Sequence, residues 1–326
     1  MTEVSQVPTK RVTTADVARA SGFSRATVSY VLNDVPGRGI SETTRDLVLE
    51  TARRLGHVPH GPARSLRLGR SDIVLALVHD YAIGYVADHI IAALDRALRD
   101  RGLLLMVHRF DEKARSLSEL WGLVAPDLIV SMGGMAVPEL PSEASPVKLI
   151  GVQGVFPHHR AGEMQIEYLA SRGHTRIGYA ELDNPRVALI ATERRGGAEA
   201  AIGRLGLAPL VRREFMLGDG VAAFAAIDDW LSGPDPVTAV ATHNDETAIM
   251  LVSALRARGL EPGRDLAVIG VDNIPLARVG ITTVEINVDE YAEAILEQVM
   301  AAIDGEPERA PQQHDDFLRL VVRDSA

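Results

Sequence analysis

Residues 24–33, SRATVSYVLN, constrain the fold more than any other stretch, because they describe a short helix with one apolar face and one hydrogen-bonding face. Ser24 suits an N-cap, its side-chain oxygen free to take an orphan N–H of the first turn. Val28 and Val31/Leu32 recur at i, i+3 and i+4, so that face packs on protein. The other face carries Arg25, Thr27, Ser29, Tyr30 and Asn33, which are short or planar hydrogen-bonding groups rather than long flexible charges. Upstream, Thr13 and Asp16 have the spacing of a capping box at the start of a first helix. Ala20-Ser21-Gly22 then makes the tight turn, with Gly22 suited to a left-handed backbone. Two short helices about such a turn form a helix-turn-helix, whose second helix is shaped for a DNA groove.

The charge distribution agrees. The 326-residue chain has a net charge of −10, yet residues 1–70 hold 11 basic and 6 acidic side chains, leaving the remainder at −15. A basic head is drawn to phosphate and an acidic body is repelled from it. With 46% hydrophobic residues the body can bury a large core. The chain has no cysteine, which excludes disulfides, thiolate metal sites and cysteine nucleophiles. It has neither an apolar leader nor a run of 18 apolar residues, so a cytoplasmic location is expected.

From Asp72 onward, apolar runs alternate with amphipathic stretches. Runs 73–78, 103–107, 128–131, 149–152, 177–180, 237–242 and 267–271 read as buried parallel strands. Between them, 86–100, 162–172, 193–206, 243–258 and 289–303 have helical periodicity, and Pro138 to Pro146 is a surface connection. This alternation predicts a doubly wound α/β body. Glycine-rich cofactor loops and the common nucleophile and zinc motifs are missing, so no enzyme activity, cofactor or metal is expected. His158-His159 reads as a solvated loop, and Asp228-Asp229 and Asp315-Asp316 as exposed charge. The rival reading is a solute-binding protein or sugar enzyme on the same body, with no use for residues 1–70.

The block VTTADVARASGFSRATVSYVLN resembles the N-terminal headpiece of the lactose/galactose repressor (LacI/GalR) family. ISETTRDLVLETARRLGHVP is similar to its third headpiece helix, running to Leu55 and stopping at Gly56, and PARSLR to its hinge helix. YLASRGHTRIGYA, RRGGAEAAIGRLGL, VTAVATHNDETAI, LAVIGVDN, ITTVEINVDEYAEAILEQV and LRLVVRDS follow in family order, so the resemblance spans roughly residues 11–324. It implies an N-terminal all-α helix-turn-helix headpiece and a two-lobed, periplasmic-binding-protein-like α/β core of doubly wound parallel sheets. The implied divisions are a disordered tail over 1–10, a headpiece over 11–58 and a hinge over 59–70. The core's first lobe takes 71–160 and 287–311, and its second takes 161–286 and 312–326. The implied function is a transcriptional regulator, most simply a repressor, whose grip on a pseudo-palindromic double-stranded DNA operator is set by a small-molecule effector in the interlobe cleft. A homodimer is expected, because the leucine-heptad tail of tetrameric members has no counterpart in the four residues after Val322.

The resemblance also assigns residues. Arg25, Ala26 and Tyr30 fall at base-reading positions; Thr27, Ser29 and Asn33 fall at backbone-contacting ones, and Ser24 and Ala63 join the same DNA-facing set. Arg25 can fork guanine O6/N7, and Ala26 offers a methyl contact to thymine. Tyr30 stands where many members have Arg, and a phenol cannot make that fork, so a base contact and a place along the sugar–phosphate edge both stay open. Leu66, between Ser65 and Arg67 and flanked by Pro62 and Gly69, has no evident core to enter. Its family counterpart wedges into the operator centre from the minor groove, with Arg64, Arg67 and Arg70 near phosphates. Packing of Leu66 on the core is the alternative. Gly61-Pro62 points to a hinge that orders on DNA.

At the other end, Arg194, Asn244 and Asp272 match family effector contacts, a set suited to a hydroxylated ligand. Considered singly, Arg194 could be solvated, Asn244 a helix cap and Asp272 a strand-end cap. Gly151 and Gly220 depart from the family's Asp and aromatic, and Ile286 and Val288 make that wall apolar. Tyr81 and Tyr85, with His79 nearby, are expected to supply a stacking surface instead. A hexose, a nucleoside, a modified sugar or an acid all remain open.

Overall fold

The structure, a computed structural model, describes residues 12–33, 35, 37–57, 70–79, 84–110, 116–132, 148–151, 157–216, 218–306 and 315–326. The 1–10 tail, Ala63, Arg64, Leu66 and Arg67 of the hinge, Tyr81 and the 138–146 connection lie outside these. The chain divides into two compact units, Met1–Ser71 and Asp72–Ala326.

The described residues of the first unit form three helices, α1 (Thr14–Ser21), α2 (Arg25–Leu32) and α3 (Glu42–Leu55). Each begins where a side chain takes an orphan N–H. Thr13 and Asp16 form the reciprocal capping box, Ser24 accepts from the Thr27 N–H, and Ser41 from the Thr44 N–H. Gly22 ends α1 at φ 78°, a conformation that a Cβ disfavours. Val17, Ala18, Val28, Val31, Val48 and Ala52 are buried together, flanked by Phe23, Leu32, Ile40 and Leu55. The helices close on one another through these apolar positions, which leaves Arg25 and Ala26 of α2 exposed.

The described residues of the second unit form two sheets, and therefore two lobes. The four-stranded sheet runs β2-β1-β3-β4, all parallel, from β1 (Ile73–His79), β2 (Leu104–Phe110), β3 (Leu128–Ser131) and β4 (Lys148–Gly151). Helix α4 (Tyr85–Asp100) connects β1 to β2, and α5 (Leu117–Val124) connects β2 to β3. The chain then enters a six-stranded sheet through α6 (His158–Ser171), β5 (Ile177–Leu182), α7 (Ala188–Leu205) and β6 (Val211–Phe215). It continues through α8 (Gly220–Leu231), β7 (Ala239–Thr242), α9 (Asp245–Ala257), β8 (Ala267–Asp272) and β9 (Thr282–Ile286). It crosses back with α10 (Val288–Asp304), whose Ala292, Ile295 and Val299 share a core with Ile90, Leu94 and Leu98 of α4. It returns as β10 (Leu318–Val321), so the second sheet reads β10-β9-β8-β7-β5-β6, with β10 its antiparallel strand.

Both faces of the second sheet are covered. Val240 and Val268 face α8 and α9 with Ile227, Trp230 and Leu251, while Tyr179, Ala241 and Ile269 face α6 and α7 with Ile166 and Ala198. Strands buried on two sides show continuous apolar runs, the pattern that marks them in the sequence. Five elements escape it. Edge strands β6 (VRREF) and β10 (LRLV) interrupt their apolar residues with charged ones, β9 (TTVEI) opens with two buried threonines, and α5 and α8 are short and apolar on most sides. The expected helix over 162–172 begins earlier, at His158, and so takes in the histidine pair expected in a loop.

Candidate functional site

Helices α6 and α7 cross at van der Waals distance through two glycines. A Cβ on Gly162 would lie 1.9 Å from the Arg194 carbonyl oxygen, and one on Gly197 would lie 1.8 Å from that of His159. Only hydrogen fits at either position, so Gly197 of the RRGG run is a packing residue. The crossing brings the first turn of α6 next to Arg194 of α7.

Arg194 is 4% exposed. Its guanidinium donates to the His243 carbonyl at 2.6 Å, just past β7, and to Asp272 Oδ1 at 2.7 Å, at the end of β8. Two residues distant in sequence therefore meet at the carboxyl ends of adjacent parallel strands, the usual ligand position in open α/β sheets. Burial pushes the Asp272 carboxyl up, against the pull of Arg194. Asp272 Oδ2 has no partner among the described residues, and neither has the buried Arg194 Nε. The pair is internally neutral and still offers one acceptor and one donor.

The segment after β8 is strained, with Asp272 at φ 106° and Asn273 at φ 51°. Non-glycine residues persist there only when their surroundings over-determine them. Asp245, wholly buried at the start of α9, supplies much of that restraint: its Oδ2 accepts from the Ile274 N–H at 2.9 Å and its Oδ1 from the Thr283 hydroxyl at 2.6 Å. Gly270 makes room, because a Cβ there would fall 2.0 Å from Asp245 Oδ1. Asn273 donates to Glu285 Oε1 at 2.6 Å and accepts from Arg323 at 2.7 Å, while Arg323 also donates to the Ile281 carbonyl. Burial, then the nearby Asp272 carboxylate, pushes Asp245 up to about 8. Glu246 and Glu193 are also raised, burial being the larger cause for each.

Two imidazoles complete the surroundings. Burial and the Arg194 charge hold His243 down to about 3 and His158 well below the usual histidine range, so both are neutral. His243 Nδ1 and the Tyr179 hydroxyl are buried without a hydrogen-bond partner among the described residues. Among the described residues no cluster of three metal-ligating side chains occurs.

The other expected effector residues have distinct places. Asn244 caps α9, its Oδ1 accepting from the Thr247 N–H at 3.0 Å and hydroxyl at 2.7 Å, which leaves the amide nitrogen for a ligand. Ile286 is buried at the end of β9 with Ala161, Val271, Val284 and Leu318, and Val86, Val288 and Tyr291 pack on that cluster. Tyr85 opens α4, exposed, its ring 6.1 Å from that of His89. The structure thus joins Arg194 to Asp272 directly and sets Asn244 beside His243, whereas no hydrogen bond among the described residues links Tyr85 to the pair. Asp245, His243 and Arg323 were not candidates from sequence; the one signal was Gly270 inside an apolar strand, which marks a close approach.

On the headpiece, Ser24 and Thr27 are engaged with each other, their hydroxyls 2.9 Å apart. Asn33 donates to the Ser29 carbonyl at 2.7 Å and so closes α2. Arg25 and Ala26 stand exposed, and Tyr30 is half-buried under the Arg38 guanidinium, 4.8 Å from the ring centroid.

A helix-turn-helix unit on the same chain as a two-lobed α/β core, with a buried polar pair at its strand ends, defines a ligand-responsive DNA-binding regulator. The model of bacterial regulatory proteins of the lacI family matches residues 13–60, and that of the periplasmic binding protein-like domain matches 166–326. The ribose operon repressor of Escherichia coli K12 is 29% identical, over 89% of this chain and 93% of its own. The HTH-type transcriptional repressor PurR of Vibrio cholerae is 27% identical, over 81% and 82%. In fold, the lac repressor dimer bound to operator and an anti-inducer superposes with a TM-score of 0.75 at 20% identity, covering 97% of this chain and 99% of that one. The chain thus joins a lacI-family DNA-binding domain to a periplasmic binding protein-like domain, and the named relatives are transcription regulators rather than enzymes.

Proposed function

We propose that this regulator is a repressor that binds a pseudo-palindromic operator as a homodimer in the cytoplasm and reports to it whether a small polar metabolite occupies the Arg194–Asp272 site. The observation that carries the reading is that pair, buried at the carboxyl ends of adjacent strands with Asp272 Oδ2 and Arg194 Nε unpartnered among the described residues, on a chain that also bears an exposed Arg25–Ala26 edge on a helix-turn-helix. The relatives support it: two carry the name repressor, and the lac repressor was solved as a dimer on its operator. The effector accepts from Arg194 and donates hydroxyls to Asp272 Oδ2, as a sugar or related metabolite does. Asn244 adds its amide nitrogen, and Ile286 an apolar wall.

On the DNA side Arg25, Ala26 and Tyr30 face base edges, while Ser24, Thr27, Ser29 and Asn33 hold the backbone. Ala63, Leu66 and Arg67 form the hinge contact, with Leu66 the wedge at the operator centre. The effector acts by its different affinity for the DNA-competent and incompetent states.

The test is to incubate the full-length protein with sheared genomic DNA from its source and sequence what is retained. A recovered pseudo-palindrome with a fixed centre supports the reading. Retention without any shared sequence, in both the presence and absence of metabolite extract, would sink it.

A further inference from the structure

Arg38 has no place in the roles above. It lies between α2 and α3 in the turn Gly37-Arg38-Gly39, whose glycines adopt φ 75° and 60°. Its side chain is exposed, and it makes no ion pair or hydrogen bond among the described residues. Among the described residues its guanidinium lies over the face of the Tyr30 ring, 4.8 Å from guanidinium carbon to centroid. A free arginine samples many rotamers, and ordering it costs entropy that a contact must offset. Here the ring face does so, at a position expected to face base edges whose own side chain cannot fork a base.

Stacking uses the face of the guanidinium and leaves its in-plane N–H fork open. That fork is the group that matches guanine O6 and N7 in the major groove. Arg25 is the one basic residue in α2, so the recognition helix by itself carries a single such fork. A contact to phosphate would need neither planarity nor a fixed orientation, and a mobile lysine would serve it as well.

We infer that Tyr30 and Arg38 act as one reading unit, in which the ring positions the Arg38 guanidinium for a bidentate contact to a guanine edge. This rests on the operator-reading proposal above. It makes Arg38 a specificity-determining residue and Tyr30 its positioning residue.

The test is selection from a random-sequence duplex library by the full-length protein and four variants, in low salt, with the enriched pools sequenced. Wild type should enrich two symmetric half-sites. Arg38→Ala should lose the preference for one G·C pair in each half-site, with discrimination there falling about tenfold or more and the other positions retained. Tyr30→Leu should lose the same position, and Tyr30→Phe should keep it, because the ring and not the hydroxyl does the positioning. Arg38→Lys should fail to restore it. Thermal melting of Arg38→Ala should match wild type, since the residue is exposed. If Arg38→Ala enriches the wild-type motif and only weakens all duplexes alike, the contact is to phosphate and the inference is overturned. If wild type enriches no motif at all, the operator-reading proposal fails first and takes this inference with it.

Discussion

Arg194 holds two bonds in a buried place, and the consequence of its removal is calculable. Arg194→Ala leaves Asp272 buried beside the raised carboxyls of Asp245 and Glu246, without its counter-charge. Breaking one half of a buried pair costs about 3–5 kcal/mol. Chemical denaturation should show a loss of that size, together with the loss of any metabolite response. Asp245 and His243 make opposite contributions to pH dependence. Asp245 binds its proton in the folded state up to about pH 8 but only below its ordinary 3.8 when unfolded, so its share of stability falls as pH rises between those values. His243 refuses its proton down to about 3 when folded but accepts it near 6.5 when unfolded, so its share is lost as pH falls from 6.5. Asp245→Asn keeps an acceptor for the Ile274 N–H and presents an amide donor to Thr283. It should raise the melting temperature at pH 8 and flatten the alkaline limb; an unchanged limb would mean that Asp245 is ionised in the folded protein. His243→Gln should flatten the acid limb instead, leaving the part due to His158.

At the scale of elements, the glycine crossing of α6 on α7 sets the position of Arg194. Gly197→Ala puts a methyl within 1.8 Å of a backbone oxygen, so the helices must separate. A cost of about 1–3 kcal/mol or more is expected by overpacking, measurable as a lowered denaturation midpoint. Gly203→Ala, in the same helix with open space around it, serves as the control and should stabilise slightly or do nothing. The same contrast explains what was legible in the sequence. The Thr13–Asp16 box, the Ser24 cap and the stop at Gly56 were, because each is a contact within one turn of chain. The buried parallel strands were, because both faces need apolar side chains. Edge strands β6 and β10 were not, since one side of each meets water. Arg194 and Asp272 were reached only through the family resemblance, and Asp245 was missed altogether. Its meaning depends on Gly270, Ile274 and Thr283, which periodicity does not bring together.

Over the whole molecule, charge separates into a head at +5 and a body at −15. DNA binding should therefore fall steeply as salt rises, with a slope set by the headpiece phosphate contacts. Leu66→Ala should lower operator affinity and reduce DNA bending while leaving the half-site sequence preference intact; bending equal to wild type would remove the wedge from the account. The central claim is that the headpiece and the Arg194–Asp272 site communicate. It is tested most directly by the affinity of the full-length protein for its selected operator, measured with and without the small-molecule fraction of a cell extract, for wild type beside Asp272→Asn. The account predicts equal operator affinity for the two proteins without extract. With extract, wild type should shift by roughly 5- to 150-fold and the variant should not respond. An equal shift in both proteins would place the sensing elsewhere and contradict the account.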